Sequence, residues 1–173
     1  MSATTTPDKN PATNANPSPA ASAVGGIVRV NPYLMFDGRC DEAIEFYRRA
    51  VGAEVTMLMR FKDAPPAPPS ADAGNCEPTP GTENKVMHAS LRIGSTEVLA
   101  SDGNCGNAPK FEGISLSLTV ATAADANRLF TALSEGGQVQ MPLTKTFFSD
   151  AFGMVADKFG VSWMVYVLPQ APK

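Results

Sequence analysis

The sequence predicts an α+β fold: two βαβββ modules paired into a curved, cleft-bearing sheet. Three observations lead there. The predicted elements run strand, helix, strand, strand, strand, and then repeat that order. The two helices match at corresponding points, Glu42-Ala43 against Asp125-Ala126 and Phe46-Tyr47 against Leu129-Phe130. Most strands alternate apolar and polar residues, so each sheet offers one face to a helix and one to water or a ligand.

The frame of the first module is the hairpin from Lys85 to Asp102. Gly94-Ser95 reads as a two-residue type II′ turn. That turn opposes Ile93 to Thr96, Arg92 to Glu97, Leu91 to Val98, Ser90 to Leu99, Ala89 to Ala100 and His88 to Ser101. Opposed residues share a side of the sheet. Met87, Ala89, Leu91, Ile93, Val98 and Ala100 then form an apolar side. His88, Ser90, Arg92, Glu97 and Ser101 form a polar side, with Leu99 the exception. Arg92 and Glu97 are expected to pair across the strands.

Residues 1–26 carry almost no large apolar side chain and are read as a disordered tail. They lack the apolar core of a secretory signal and the arginines of a transit peptide. The domain is expected over 27–168. Ile27–Phe36 is the first strand, with Leu34 and Phe36 on one face and Asn31, Tyr33 and Met35 on the other. Pro32 lacks a backbone donor and places this strand near an edge. Asp37-Gly38 turns the chain into a helix whose buried stripe is Cys40, Ala43, Ile44, Tyr47, Ala50 and Val51. Gly52 stops it, and Glu54–Phe61 is a second strand. The stretch 62–84 has no apolar period and reads as a loop.

Phe111–Val120 opens the second module, with Ile114, Leu116, Leu118 and Val120 on one face. Thr122 and Asp125 resemble a capping box. Ala126, Leu129, Phe130 and Leu133 are the buried stripe, and Gly136-Gly137 end the helix. Val139–Leu143, Thr146–Ala156 (with an irregular stretch) and Val161–Leu168 are the remaining strands, with Gly160 placed for a positive φ. By parity Trp163 joins Val161, Val165 and Val167 in the core. Tyr33, Phe147, Phe148 and Tyr166 are expected as core or cavity walls.

The composition narrows the function. A net charge of −3 and the absence of a basic stripe argue against nucleic acid. No apolar run approaches the ~18 residues of a membrane span. Cys40, Cys76 and Cys105 show no CxxC spacing and read as free thiols of a reducing cytoplasm. No P-loop, nucleophile elbow or nucleoside-binding glycine turn is visible. Cys40, on a buried helix stripe, is a poor nucleophile. The only histidine, His88, has two readings. It is either held by Ser101 as part of the scaffold, or it is a ligand contact or general base. Asp102 likewise either organises the following loop or stands at the cavity rim.

A set of short motifs in order carries a family resemblance: Asn31-Pro-Tyr-Leu, Glu42-Ala-Ile-Glu-Phe-Tyr, Met87-His-Ala, Ala100-Ser-Asp102, Ser115-Leu-Ser-Leu, Met141-Pro-Leu, Phe152-Gly-Met and Asp157-Lys-Phe-Gly-Val-Ser-Trp163. They resemble the PhnB-like branch of the vicinal oxygen chelate superfamily, which includes glyoxalase I, bleomycin-resistance proteins and extradiol dioxygenases. The resemblance implies the glyoxalase/bleomycin-resistance fold, a concave small-molecule cavity and a homodimer. The superfamily's enzymes usually hold a divalent metal there. Matched by element, its ligand positions fall on Asn31, Leu99 or Ser101, Ser115 and Met164. None is His, Asp or Glu, so no metal and no cofactor is expected. The ligand-binding candidates are Asn31, Tyr33, Ser101, Ser115 and Met164, with His88 the catalytic candidate. Two functions follow: a non-catalytic small-molecule binder, or a lyase, transferase or dioxygenase-type enzyme with an atypical site built on His88.

Overall fold

The computed structural model describes residues 29–65, 81–103 and 109–168. The predicted tail 1–26, most of the loop 62–84, Cys76 and Cys105 lie outside the described residues. The chain divides after Val30, and the account that follows concerns Asn31 onward.

The first module holds β1 (Tyr33–Met35), α1 (Cys40–Val51), β2 (Glu54–Arg60), β3 (Val86–Ile93) and β4 (Thr96–Ser101). The second holds β5 (Leu116–Val120), α2 (Ala123–Leu133), β6 (Gln138–Thr144), β7 (Phe152–Ala156) and β8 (Ser162–Val167). Each forms a four-stranded mixed sheet, ordered β1-β4-β3-β2 and β5-β8-β7-β6. The first strand of each module lies parallel to the last, and the other pairs are antiparallel. β2 and β6, at equivalent edges, carry the same register shift, between Val55 and Met57 and between Val139 and Met141. The repeat read in the sequence therefore extends to the irregularities.

The hairpin register holds from Ile93–Thr96 to Ala89–Ala100, with Gly94 at φ 58°. At its base the structure differs. β2 opposes Met59 to His88 and Arg60 to Val86, passing over Met87. Val86 is fully buried on the helix side, the place alternation assigns to Met87. A bulge accounts for the shift, since one extra residue on one strand reverses the parity beyond it.

Other boundaries move for local reasons. β1 is shorter than Ile27–Phe36: among the described residues strand pairing starts at Tyr33, after Pro32. β5 starts at Leu116, because Gly113 takes φ 74° and breaks the extended run; Ile114 is 71% exposed rather than sharing the face of Leu116. Thr146–Ala151 is a braced turn rather than strand. Thr146 N–H donates to Ser149 O at 2.9 Å, and the buried Ser149 Oγ donates to Val167 O at 2.9 Å. Phe147 on that turn is 100% exposed, neither core nor cavity wall. Arg92 pairs with Glu54 rather than making the expected bond to Glu97, which instead accepts from Asn31.

One apolar core joins both modules. α1 buries its predicted stripe, with Val51 half-buried and Phe46 added. Phe46 is covered from the far module, its ring 5.7 Å from that of Phe159. Trp163 lies in the core as parity requires. α2 is capped by Thr122 Oγ1, which accepts from Asp125 N–H at 3.1 Å.

Candidate functional site

The faces turned away from the helices can be followed strand by strand. In the first sheet, cross-strand partners run Met57–Ser90–Leu99–Tyr33. In the second, the equivalent row is Met141–Met154–Met164–Ser117. Where the sheets meet, a pocket of about 320 Å³ is lined by Tyr33 and Met35 of β1, by Pro109, Lys110, Phe111, Ile114 and Leu116, and by Val161 and Ser162; among the described residues that line it, Lys110 alone is charged. A larger groove of about 580 Å³ lies beside α1 and β2. Its rim charges are paired with one another, Arg60 with Asp41 at 3.0 Å and Arg48 with Glu45 at 2.8 Å, and it holds no candidate residue.

Of the candidates, the structure brings His88 and Tyr33 together. Tyr33 Oη lies 2.9 Å from His88 Nδ1, so the phenol takes the place expected for Ser101. Burial raises the phenol pKa of Tyr33 above its usual 10, so the hydroxyl keeps its proton at neutral pH. When it donates to Nδ1, the imidazole proton sits on Nε2. No hydrogen bond to Nε2 is found among the described residues. Ser101 is scaffold: its hydroxyl donates to Met87 O at 2.9 Å and accepts from Gly103 N–H at 2.9 Å.

Asn31 is held by Glu97, its Nδ2 donating to Oε2 at 2.8 Å. Ser115 donates to Ser162 Oγ at 2.8 Å, and Ser162 donates to Gln140 Oε1 at 3.1 Å. Met164 stands in the thioether row and does not line the pocket. Ser162 and Gln140 were not among the candidates. Ser162 was legible, since it precedes Met164 by two residues and shares its face.

Two buried carboxylates turn out to be structural. Asp102 accepts from the backbone N–H of Cys40 at 2.6 Å and of Val86 at 2.8 Å. It thus holds the starts of α1 and β3 together, rather than the following loop or a cavity rim. Asp157 accepts from Tyr47 Oη at 2.8 Å, Trp163 Nε1 at 2.9 Å, and the N–H groups of Phe159 and Val161 at 2.9 and 3.1 Å. Burial, then the Asp157 charge, holds the Tyr47 phenol neutral. Cys40 is a buried free thiol whose pKa is raised, first by burial and then by Asp102 and Asp41, which removes its nucleophilic character.

Comparison with known proteins places this geometry. Residues 28–166 match the family described as 3-demethylubiquinone-9 3-methyltransferase. The chain belongs to this family. Protein YjdN of Escherichia coli is 33% identical over 144 residues, 83% of this chain and 97% of YjdN. Protein PA1353 from Pseudomonas aeruginosa superposes with a TM-score of 0.69 at 38% identity, covering 83% of this chain and all of that one. The PhnB protein from Bacillus cereus, described as a putative 3-demethylubiquinone-9 3-methyltransferase, gives 0.65 at 28% identity over 81% of this chain and 99% of its own. Structures of glyoxalase and bleomycin-resistance type, at 12% and 16% identity, share the fold alone. This is the PhnB-like branch of the glyoxalase/bleomycin-resistance fold.

The superfamily's usual metal does not fit this PhnB-like site. Asn31 is held by Glu97, Ser115 by Ser162 and Ser101 by backbone; Leu99 offers no donor, and Met164 offers a soft thioether. Among the described residues no cluster of three His, Cys, Asp or Glu could hold a metal ion. No described helix is long and apolar enough to cross a membrane.

Proposed function

We propose that this chain binds a small molecule where its two sheets meet, without the superfamily's usual metal centre. One observation carries the reading: the 320 Å³ pocket at the seam draws on both modules and opens beside the Tyr33–His88 pair. Its size is near the lower end for small-molecule sites, and its lining is mostly apolar with a few polar groups. A thermal-shift screen tests it, because a ligand raises the melting temperature by mass action whether or not it is turned over. With a hit in hand, His88→Ala is expected to weaken binding about tenfold, the scale of one lost hydrogen bond. The melting temperature of the free protein should barely move, since His88 lies outside the apolar core. Lost stability with unchanged affinity would return His88 to the scaffold.

The catalytic alternative rests on the same pair. A protonated phenol 2.9 Å from Nδ1 orients the imidazole and leaves Nε2 as the nitrogen that would serve as acid or base toward a ligand beside Tyr33. Turnover of a bound ligand by wild type, abolished in His88→Ala and reduced in Tyr33→Phe, would select it.

A homodimer completes the proposal. The edge strands β2 and β6 expose Val55, Met57, Leu58, Val139 and Met141, and the turn after β6 exposes Phe147 and Phe148. Bare apolar edges favour association. Sedimentation should give twice the chain mass of 18.2 kDa. A single-chain mass at every concentration would reject the dimer.

A further inference from the structure

The strand registers sort the methionines in an unexpected way. Six of the eight in the chain, Met35, Met57, Met59, Met141, Met154 and Met164, fall on the faces turned away from the helices. None of the six is buried, and none belongs to the apolar core. The helix-side positions of the same two sheets are filled instead by residues such as Val86, Leu91, Val98, Val155, Trp163 and Val165. Strands favour β-branched and aromatic side chains, and a strand face in water ordinarily takes polar ones. Flexible, polarisable thioethers on such a face suit contact with apolar molecules of variable shape.

The face is also continuous with the pocket. Met35 lines the pocket itself. Ser162, on the opposite wall, is two residues from Met164, whose cross-strand partner Met154 is in turn opposed to Met141. Polar groups are sparse along the way. The hydroxyls of Ser115 and Ser162 are occupied in their own chain of hydrogen bonds. Lys110 lines the pocket, and the imidazole of His88, held through Nδ1 by the pocket-lining Tyr33, keeps Nε2 as a further polar contact. A sugar, with hydroxyls on every side, would lose hydration against the thioethers without replacement.

Resting on the small-molecule reading above, we propose that the ligand is amphipathic: an apolar body laid on Met35, Met154 and Met164, with a single hydrogen-bonding group for His88. The test uses the full chain labelled with 13C at the methionine methyls, with signals assigned by single Met→Leu variants. The probes are 2-naphthol, apolar with one hydroxyl, and glucose, which carries hydroxyls throughout. 2-Naphthol is expected to shift the Met35, Met154 and Met164 signals saturably, and glucose to leave them unmoved. The double variant Met154→Gln, Met164→Gln should weaken 2-naphthol about tenfold, the loss expected from two desolvated methylene-sized contacts. If that variant fails to fold, the wild-type methyl map still decides.

Three results of this experiment would overturn the proposal, and a fourth comes from the thermal screen. One is glucose moving the same signals. Another is 2-naphthol leaving Met154 and Met164 unmoved. The third is dilution alone moving them, which would show the face covered by a second copy. A ligand from the thermal screen that leaves Met154 and Met164 still sinks this inference only. A screen with no ligand of any class sinks the small-molecule reading itself.

Discussion

Asp157 shows what a family-specific motif can be for. The run Asp157-Lys-Phe-Gly-Val-Ser-Trp163 reads like a functional signature, yet its carboxylate is 3% exposed and accepts four hydrogen bonds from the protein itself. The clue was available in the sequence. Trp163 and Tyr47 were both assigned to the core, and a buried indole N–H and phenol each need an acceptor. Asp157→Ala removes that acceptor from four donors at once. We expect a loss of about 3 kcal/mol or more, on the scale of breaking a buried charged network. At ~2–4 °C per kcal/mol for a chain of this size, chemical denaturation and melting curves would both register it. A change under about 1 kcal/mol would mean that water replaces the carboxylate and that the network is not structural.

At the scale of elements, Gly153 makes the same point about Phe152-Gly-Met. It lies in β7 opposite Val165, on the helix side, where a Cβ would come within 2.8 Å of Phe130 Cε2 and 2.9 Å of Leu143 Cα. The phenyl edge can give way; the backbone of β6 cannot without moving the strand. Gly153→Ala is therefore expected to destabilise by about 1–3 kcal/mol, the usual cost of overpacking. A variant as stable as wild type would show that β6 is free to shift. The elements that alternation and turn chemistry control were legible: the hairpin register, the helix stripes, the Gly52 stop and the Trp163 parity. Elements governed by distant contacts were not. The burial of Phe46 depends on Phe159, more than a hundred residues away, and no local period reports it. The bulge at Met87 is set by the edge strand opposite, so strict alternation misplaced Val86. Of the site, the shared face of Tyr33 and His88 was readable, but their hydrogen bond required knowing that β1 pairs with β4 and so lies one strand away from β3.

Across the whole molecule, charge and hydrogen bonding fasten one module to the other. Glu42 on α1 lies 2.9 Å from Arg39 and 2.7 Å from Lys158 of the far module. Its hydrogen bonds to Arg39 and then Lys158 lower its pKa from 4.5 to about 2. A depressed carboxylate pKa means that the unfolded chain binds more protons over that interval, so stability rises with pH there. The contribution is complete above about 4.5 and is lost as the pH falls toward 2. Melting temperatures of wild type and Glu42→Gln should therefore differ above that window and converge within it. The difference should shrink in ~1 M salt, because the pair is exposed and the screening length falls to about 3 Å. A gap constant from neutral pH to 2 would remove Glu42 from the account. The stitch from Tyr47 to Asp157 has a consequence for dissection of the chain. An isolated first half would carry a bare Phe46 ring and an unanswered Tyr47 hydroxyl, and an isolated second half a carboxylate short of a donor. The two modules of this repeated architecture are thus complementary rather than interchangeable. Each is a lock cut for the other's key, and two copies of one half would not reconstitute what one copy of each does.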